Sequence, residues 1–358
     1  MKKGRVTLRD IAERASLSRT AVSLALRNHP SIPASTIARV KKIADELGFT
    51  PDPDVSKLMA HLRVQQDPTY QSTIAWLTAW PTEDGWHFWL KEKRVFAGAQ
   101  ARARQLGYLL EPFWLLAPGM TGGRAASILE SRGIEAALVA PLPDGLTTID
   151  FDWSRFSVAA VGHSLVTPDL HRIESAHAQN FEEALRHIRK RDVNRIGFIE
   201  SHGTDARVSR EWRAAYLVDQ EDLPKNQRVP LLIRAEITQD DFTKWFTRHS
   251  PDVIISNEYP VIAWLAELGV KVPEDIGHVR LDCGGPEMLD RYEWGFSGTW
   301  PSGIDQMPEE VGATAVDVVV AQTHRQERDI PPQSKTTLVR GRWRDLETLK
   351  PPRQLNVK

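Results

Sequence analysis

Val6-Thr7-Leu8-Arg9-Asp10-Ile11-Ala12, then Ser16-Leu17-Ser18, then Arg19-Thr20-Ala21-Val22-Ser23-Leu24-Ala25-Leu26-Arg27-Asn28, decide how this chain is read. Thr7 can cap a first short helix, because its hydroxyl can accept the free N–H groups of the first turn. Leu8, Ile11, Ala12 and Ala15 then share one face at helical spacing. Ser18 can cap a second helix in the same way, with Ala21, Val22, Ala25 and Leu26 on its buried side. A third helix places Ile37, Val40, Ile43, Ala44 and Leu47 inward and stops at Gly48. Pro51-Asp52-Pro53 breaks the chain. Three short helices in this order are the layout of a helix-turn-helix, whose second helix enters the DNA major groove. Arg19, Thr20 and Ser23 face outward near the entering end and are the base-reading candidates. An arginine can donate two hydrogen bonds to guanine.

Charge follows the same division. Residues 1–63 hold twelve Lys or Arg against six Asp or Glu, although the whole chain of 358 residues carries a net charge of −1. The head is therefore basic and the remainder acidic, which suits phosphate contact at one end only. The length predicts two or three domains. The one cysteine, Cys283, excludes a disulfide framework and a cysteine-based zinc site. No apolar run approaches the ~20 residues that span a bilayer, and the N-terminus lacks the apolar stretch of a signal peptide. A cytoplasmic location, no membrane, no metal and no cofactor are expected.

Asp52 to Arg63 reads as a short helix with Asp52 at the N-cap and Pro53 at its first position. It is too short to be stable alone in water. From Ser72 onward apolar runs alternate with helical patterns. Strands are expected at Thr73–Thr78, Tyr108–Phe113, Ala136–Val139, Ser157–Val161, Ile196–Ile199, Val229–Ile233, Val253–Ser256 and Val279–Asp282. Helices are expected at Glu92–Leu106, Arg124–Ser131, Ala178–Arg191, Val208–Val218, Asp240–Thr247 and Val261–Leu268. Such alternation predicts parallel sheets covered by helices on both faces, and two successive series predict two lobes. Ligands of such sheets sit beyond the carboxyl ends of the strands.

The ordered words in the head, together with Ala44-Asp45-Glu46-Leu47-Gly48-Phe49-Thr50-Pro51, resemble the LacI/GalR family of bacterial transcription regulators. Weaker similarity extends to about residue 345 through Gly162-His163-Ser164-Leu165, Asn257-Glu258, Leu268 to Gly277 and Gly312-Ala313-Thr314-Ala315-Val316. The pattern departs from the family at Ala21, Leu24 and Pro33. The resemblance implies an α-helical DNA-binding head (1–50), a hinge helix and linker (51–71), and a periplasmic-binding-protein-like α/β core of two lobes with parallel sheets (72–345). A tail (346–358) follows. It implies DNA contact by Thr7, Ser18, Arg19, Thr20, Ser23 and Asn28. Leu58 would wedge into the minor groove, packing being the alternative role. Its partners would be double-stranded operator DNA, a second copy in a homodimer and a small-molecule effector.

The effector cleft is expected to use Trp80, Trp86 and Phe88, from an aromatic loop after the first strand whose faces suit sugar rings or purines; ordinary lobe packing is the alternative. The resemblance adds Asn257, Asp282 and Gln306 as hydrogen-bonding positions. Trp212 falls where the family carries an effector-binding arginine, which makes the effector unusual or absent. The expected protein is a dimeric regulator, a repressor, controlled by a sugar-like molecule. The alternative is a DNA-binding regulator whose body serves only dimerisation or a protein partner. An enzyme is disfavoured, since His163-Ser164 comes without a G-x-S-x-G elbow, a phosphate-cradling glycine loop or metal-ligand spacing. An exported transport protein is contradicted by the head.

Overall fold

The structure, a computed structural model, describes residues 8–26, 32–47, 72–258, 260–283 and 300–352. Thr7, Asn28, Leu58 and the expected hinge helix lie outside them.

The head is formed by α1 (Leu8–Ala15), α2 (Arg19–Leu26) and α3 (Ala34–Leu47). Ile11, Ala12, Ala15, Val22, Ala25, Val40 and Ala44 form its core, with Leu17, Leu26, Ile37, Ile43 and Leu47 packed at the margin. Ser18 Oγ accepts the Ala21 N–H at 3.1 Å, so α2 starts where the cap dictates. Arg39 of α3 donates to the Ala15 carbonyl at the end of α1 (3.3 Å), tying the first helix to the third.

The first lobe is a six-stranded parallel sheet. Its strands are β1 (Ser72–Thr78), β2 (Tyr108–Trp114), β3 (Ala136–Val139), β4 (Ser157–Val161), β5 (His171–Ser175) and β11 (Thr336–Val339). They lie in the order β11-β5-β4-β3-β1-β2. The continuously buried run Ile74–Thr78 reflects helices on both faces. Helix α4 (Leu90–Gln105) and helix α11 (Pro308–Arg325) cover one face and α5 (Gly122–Ser131) the other. Helices α4 and α11 touch backbone to backbone. A Cβ added at Gly98 would lie 2.0 Å from the Glu309 carbonyl oxygen, and one at Gly312 would lie 1.9 Å from that of Val95.

The second lobe is built from β6 (Ile196–Ser201), β7 (Leu232–Arg234), β8 (Val253–Ser256), β9 (Gly277–Arg280), β10 (Ser302–Asp305) and β12 (Arg342–Arg344). Their order is β12-β10-β9-β8-β6-β7, parallel except for β10 against β12. Its helices are α6 (His177–Arg189), α7 (His202–Arg207), α8 (Glu211–Glu221), α9 (Gln239–His249) and α10 (Pro260–Glu267). Thr238 and Asp241 start α9 with a reciprocal capping box.

The backbone passes between the lobes three times, from β5 to α6, from β10 to α11 and from β11 to β12. These crossings are bonded to one another. Ser175 Oγ donates to the Gln306 carbonyl (3.1 Å), and Ala176 N–H donates to that of Val339 (2.8 Å). Asn180 Nδ2 donates to Gln306 Oε1 (2.9 Å), while Asn180 Oδ1 accepts the Gly341 N–H (2.8 Å). A side chain at Gly341 would strike Ile304, Asp305 and Asn180.

Three expectations are revised. Residues 208–218 are not one helix: Ser209 and Arg210 adopt φ of 51° and 64°, which separates α7 from α8. His171–Ser175 is a strand that hydrophobicity did not announce, because Arg172 and Glu174 are buried within it. Arg172 reaches the carbonyls of Gly162 and Leu165. Residues 346–352, set apart as tail, belong to the second lobe. Thr348 and Leu349 are buried, and Thr348 Oγ1 donates to the His278 carbonyl and accepts the Ser302 N–H.

Candidate DNA-reading helix and interlobe cleft

In the head, Arg19 is the first residue of α2 and is exposed, one position after the Ser18 cap. The helix N-terminus adds its own partial positive charge, favourable beside phosphate. Thr20 and Ser23 lie on the same helix.

The second candidate site is the cleft where strand ends of the two lobes meet. Arg207, at the end of α7, crosses it. Its guanidinium lies 2.6 Å from Asp144 and 3.6 Å from Glu92, and reaches the Leu142 carbonyl at 3.4 Å. Lys91 of the first lobe stands 3.7 Å from Asp282, just beyond β9. Arg94 of α4 reaches Asp305, which Arg344 also holds (2.7 Å). Burial raises the Glu92 pKa, and the charges of Lys91 and Arg207 oppose that rise. Burial, Lys91 and His163 together drive the His177 pKa down to about 3, so its imidazole is neutral. Burial and the neighbouring Glu258 push Glu200, at the end of β6, up to about 8.

The predicted effector residues divide. Trp80 and Trp86 are packed into the first lobe: Trp80 Nε1 donates to the Pro141 carbonyl (3.1 Å), and Trp86 meets Phe96 edge-on. Phe88 is 86% exposed. Asn257 Oδ1 accepts the Leu281 and Asp282 N–H groups, at 2.9 and 3.2 Å, and so sets the course of the chain after β9. Asp282 is half-buried and faces Lys91. Gln306 is fully buried in the hinge, its amide nitrogen on the Leu281 carbonyl and its oxygen on Asn180. Trp212 is 2% exposed in the core of the second lobe, its ring perpendicular to that of His177 at 5.4 Å. Gln306 and Trp212 therefore hold the walls of the cleft from behind, because both side chains are spent on packing or hinge bonds.

Lys91, Glu92, Arg207, Glu174, His177 and Glu211 are not among the site residues expected from the sequence. His163 was noticed only as a partner for Ser164. Instead Ser164 Oγ accepts the Leu142 N–H (2.8 Å), and His163 stands 2.5 Å from Glu174. The available signal was position for all but Arg207, since the others lie just beyond, or near the end of, a strand or at the start of a helix, whereas Arg207 ends α7.

Residues 7–52 match the family described as bacterial regulatory proteins, lacI family. A crystal structure of the lac repressor dimer bound to operator and the anti-inducer ONPF aligns over 97% of this chain and 100% of its own (TM-score 0.51, 16% identity). A LacI transcriptional regulator from a Rhodococcus species aligns over 78% and 98% (0.51, 16%). The transcription regulator CcpA of Lactococcus lactis aligns over 78% and 99% (0.50, 11%). A comparison with curated protein sequences finds no match. The lacI-family match therefore lies in the N-terminal head, and the two-lobed α/β body has the fold of these solved structures. No helix among the described residues is long and apolar enough to cross a membrane.

Proposed function

We propose that the chain is a transcriptional repressor that reads a pseudo-palindromic operator as a homodimer and is controlled by a small molecule held between the lobes. The observation that carries this reading is the family match over residues 7–52, with Arg19 exposed at the start of a Ser18-capped α2. Two-fold protein symmetry requires two half-sites. Arg19, Thr20 and Ser23 would read base edges. Thr7, Ser18 and Asn28 would fix the head on the backbone, and Leu58 would wedge into the minor groove between the half-sites. Residues 1–50 would be the DNA-binding unit, 51–71 the hinge and 72–352 the regulatory unit, working in the cytoplasm without enzymatic activity.

The three bonded crossings support control by closure. A ligand that prefers one lobe arrangement shifts the population of that arrangement, and with it the placement of the two heads. The lac repressor structure contains operator and an anti-inducer, which favours the same division of labour here. A sugar-like effector would meet Asp282 and Phe88, the exposed member of the aromatic loop whose Trp80 and Trp86 are packed into the first lobe. The effector-free reading is favoured by one observation: Arg207, Glu92 and Asp144 already bridge the cleft.

Selection of full-length protein on randomised duplex DNA tests the DNA reading. Enrichment of a two-fold symmetric site is expected, and a pool that stays random overturns it. A thermal-shift panel of sugars, sugar acids and purines tests the effector, since a bound ligand raises the melting point by mass action. Silence across that panel transfers the body to dimerisation alone.

A further inference from the structure

We infer that the cleft holds a divalent transition-metal ion of the zinc kind on His163, Glu174 and Glu211. One ligand atom from each of these residues lies within 4.8 Å of the others. His163 follows β4 and Glu174 lies in β5, both in the first lobe, while Glu211 opens α8 in the second. The Ala178 N–H donates to Glu211 Oε2 at 3.1 Å and aims that carboxylate.

Glu174 is 3% exposed, and its Oε2 has no hydrogen-bond partner; neither has His163 Nε2, although the two atoms stand 2.5 Å apart. This buried carboxylate is paired with His163 without an aligned hydrogen bond, and a metal would satisfy it better. An imidazolium on His163 would neutralise one of the two carboxylates and leave the other. A divalent cation on a neutral imidazole balances both. One nitrogen and two carboxylate oxygens form a donor set that suits zinc and its neighbours better than magnesium. Three protein ligands leave a further coordination position, which a hydroxyl or carboxylate of a small molecule could occupy. Because the ligands come from both lobes, the ion would fasten the cleft.

This inference rests on the reading of the cleft as a ligand site. Its test is calorimetric titration of zinc chloride into full-length protein stripped with chelator. One zinc per chain is expected, with a higher melting point and magnesium chloride binding at least ~10-fold more weakly. His163→Ala and Glu211→Gln, both at partly exposed positions, should each weaken zinc binding by ~10-fold or more, because ligands act as a set. No uptake by the wild type, undiminished uptake by both variants, or equal binding of magnesium overturns the site. Zinc X-ray absorption on the wild type decides the case if a variant fails to fold: an imidazole with carboxylate oxygens is predicted, and an all-water shell refutes it. Operator binding measured on the same samples separates the two readings. Failed zinc binding with intact operator binding removes only the metal site. Zinc binding without operator binding removes only the regulatory assignment.

Discussion

Asn180 donates to Gln306 Oε1 at 2.9 Å across two of the three crossings between the lobes, and its own oxygen accepts the Gly341 N–H of the third. Both side chains are almost completely buried. Asn180→Ala leaves a buried carbonyl oxygen and a backbone N–H without partners. A loss of ~2–4 kcal/mol is expected, since each orphaned buried group costs ~1–3 kcal/mol. Urea unfolding followed by tryptophan fluorescence measures it. An unchanged midpoint would mean that the crossings are held elsewhere.

Contact between α4 and α11 requires glycine on both sides. Gly312→Ala places a methyl group 1.9 Å from the Val95 carbonyl oxygen, so the helices must separate. Overpacking of this kind costs ~1–3 kcal/mol or more. Thermal melting of Gly312→Ala should show that loss, whereas Gly123→Ala, with open space around its Cβ position, should melt near the wild type.

Glu200 makes stability depend on pH. Its pKa rises from 4.5 to about 8 through burial, with Glu258 and then Asp205 adding to the rise. An acid with a raised folded pKa gives its full contribution below the unfolded value and loses it as pH climbs through the folded one. Wild-type stability should therefore decline between pH 4.5 and about 8. Glu200→Gln should flatten that decline and melt higher than the wild type at the alkaline end. Parallel slopes for the two proteins would show that Glu200 ionises normally.

The head was legible because its helices are short, amphipathic and capped. Ser18 caps α2 as expected, and every buried residue of the head core was anticipated. Strands β1, β3, β4 and β8 announced themselves as apolar runs for the same reason, burial on both faces. Strand β5 did not, since the partners of Arg172 are loop carbonyls that no local pattern reveals. The hinge was hidden by distance along the chain: Asn180 meets Gln306 across 126 residues and Gly341 across 161. Trp212 shows the limit of matching positions to a family. Its place in the sequence pointed to the cleft, but its size and apolar ring belong to the packed core behind His177.

Arg19 separates base reading from simple attraction. It is exposed at the first position of α2. Arg19→Ala should cost ~1–3 kcal/mol on the selected site and relax the preference at one position of each half-site, with little loss on random DNA. A uniform loss on every duplex would assign Arg19 to the phosphates.

The most direct measurement is the ratio of affinities of the full-length protein for the selected symmetric duplex and for a scrambled duplex of equal length, at one fixed salt concentration. A reader of operator sequence should favour the selected duplex by ~1,000-fold or more. Equal affinity for both, weakening together as salt rises, would contradict sequence-specific recognition and leave only charge attraction.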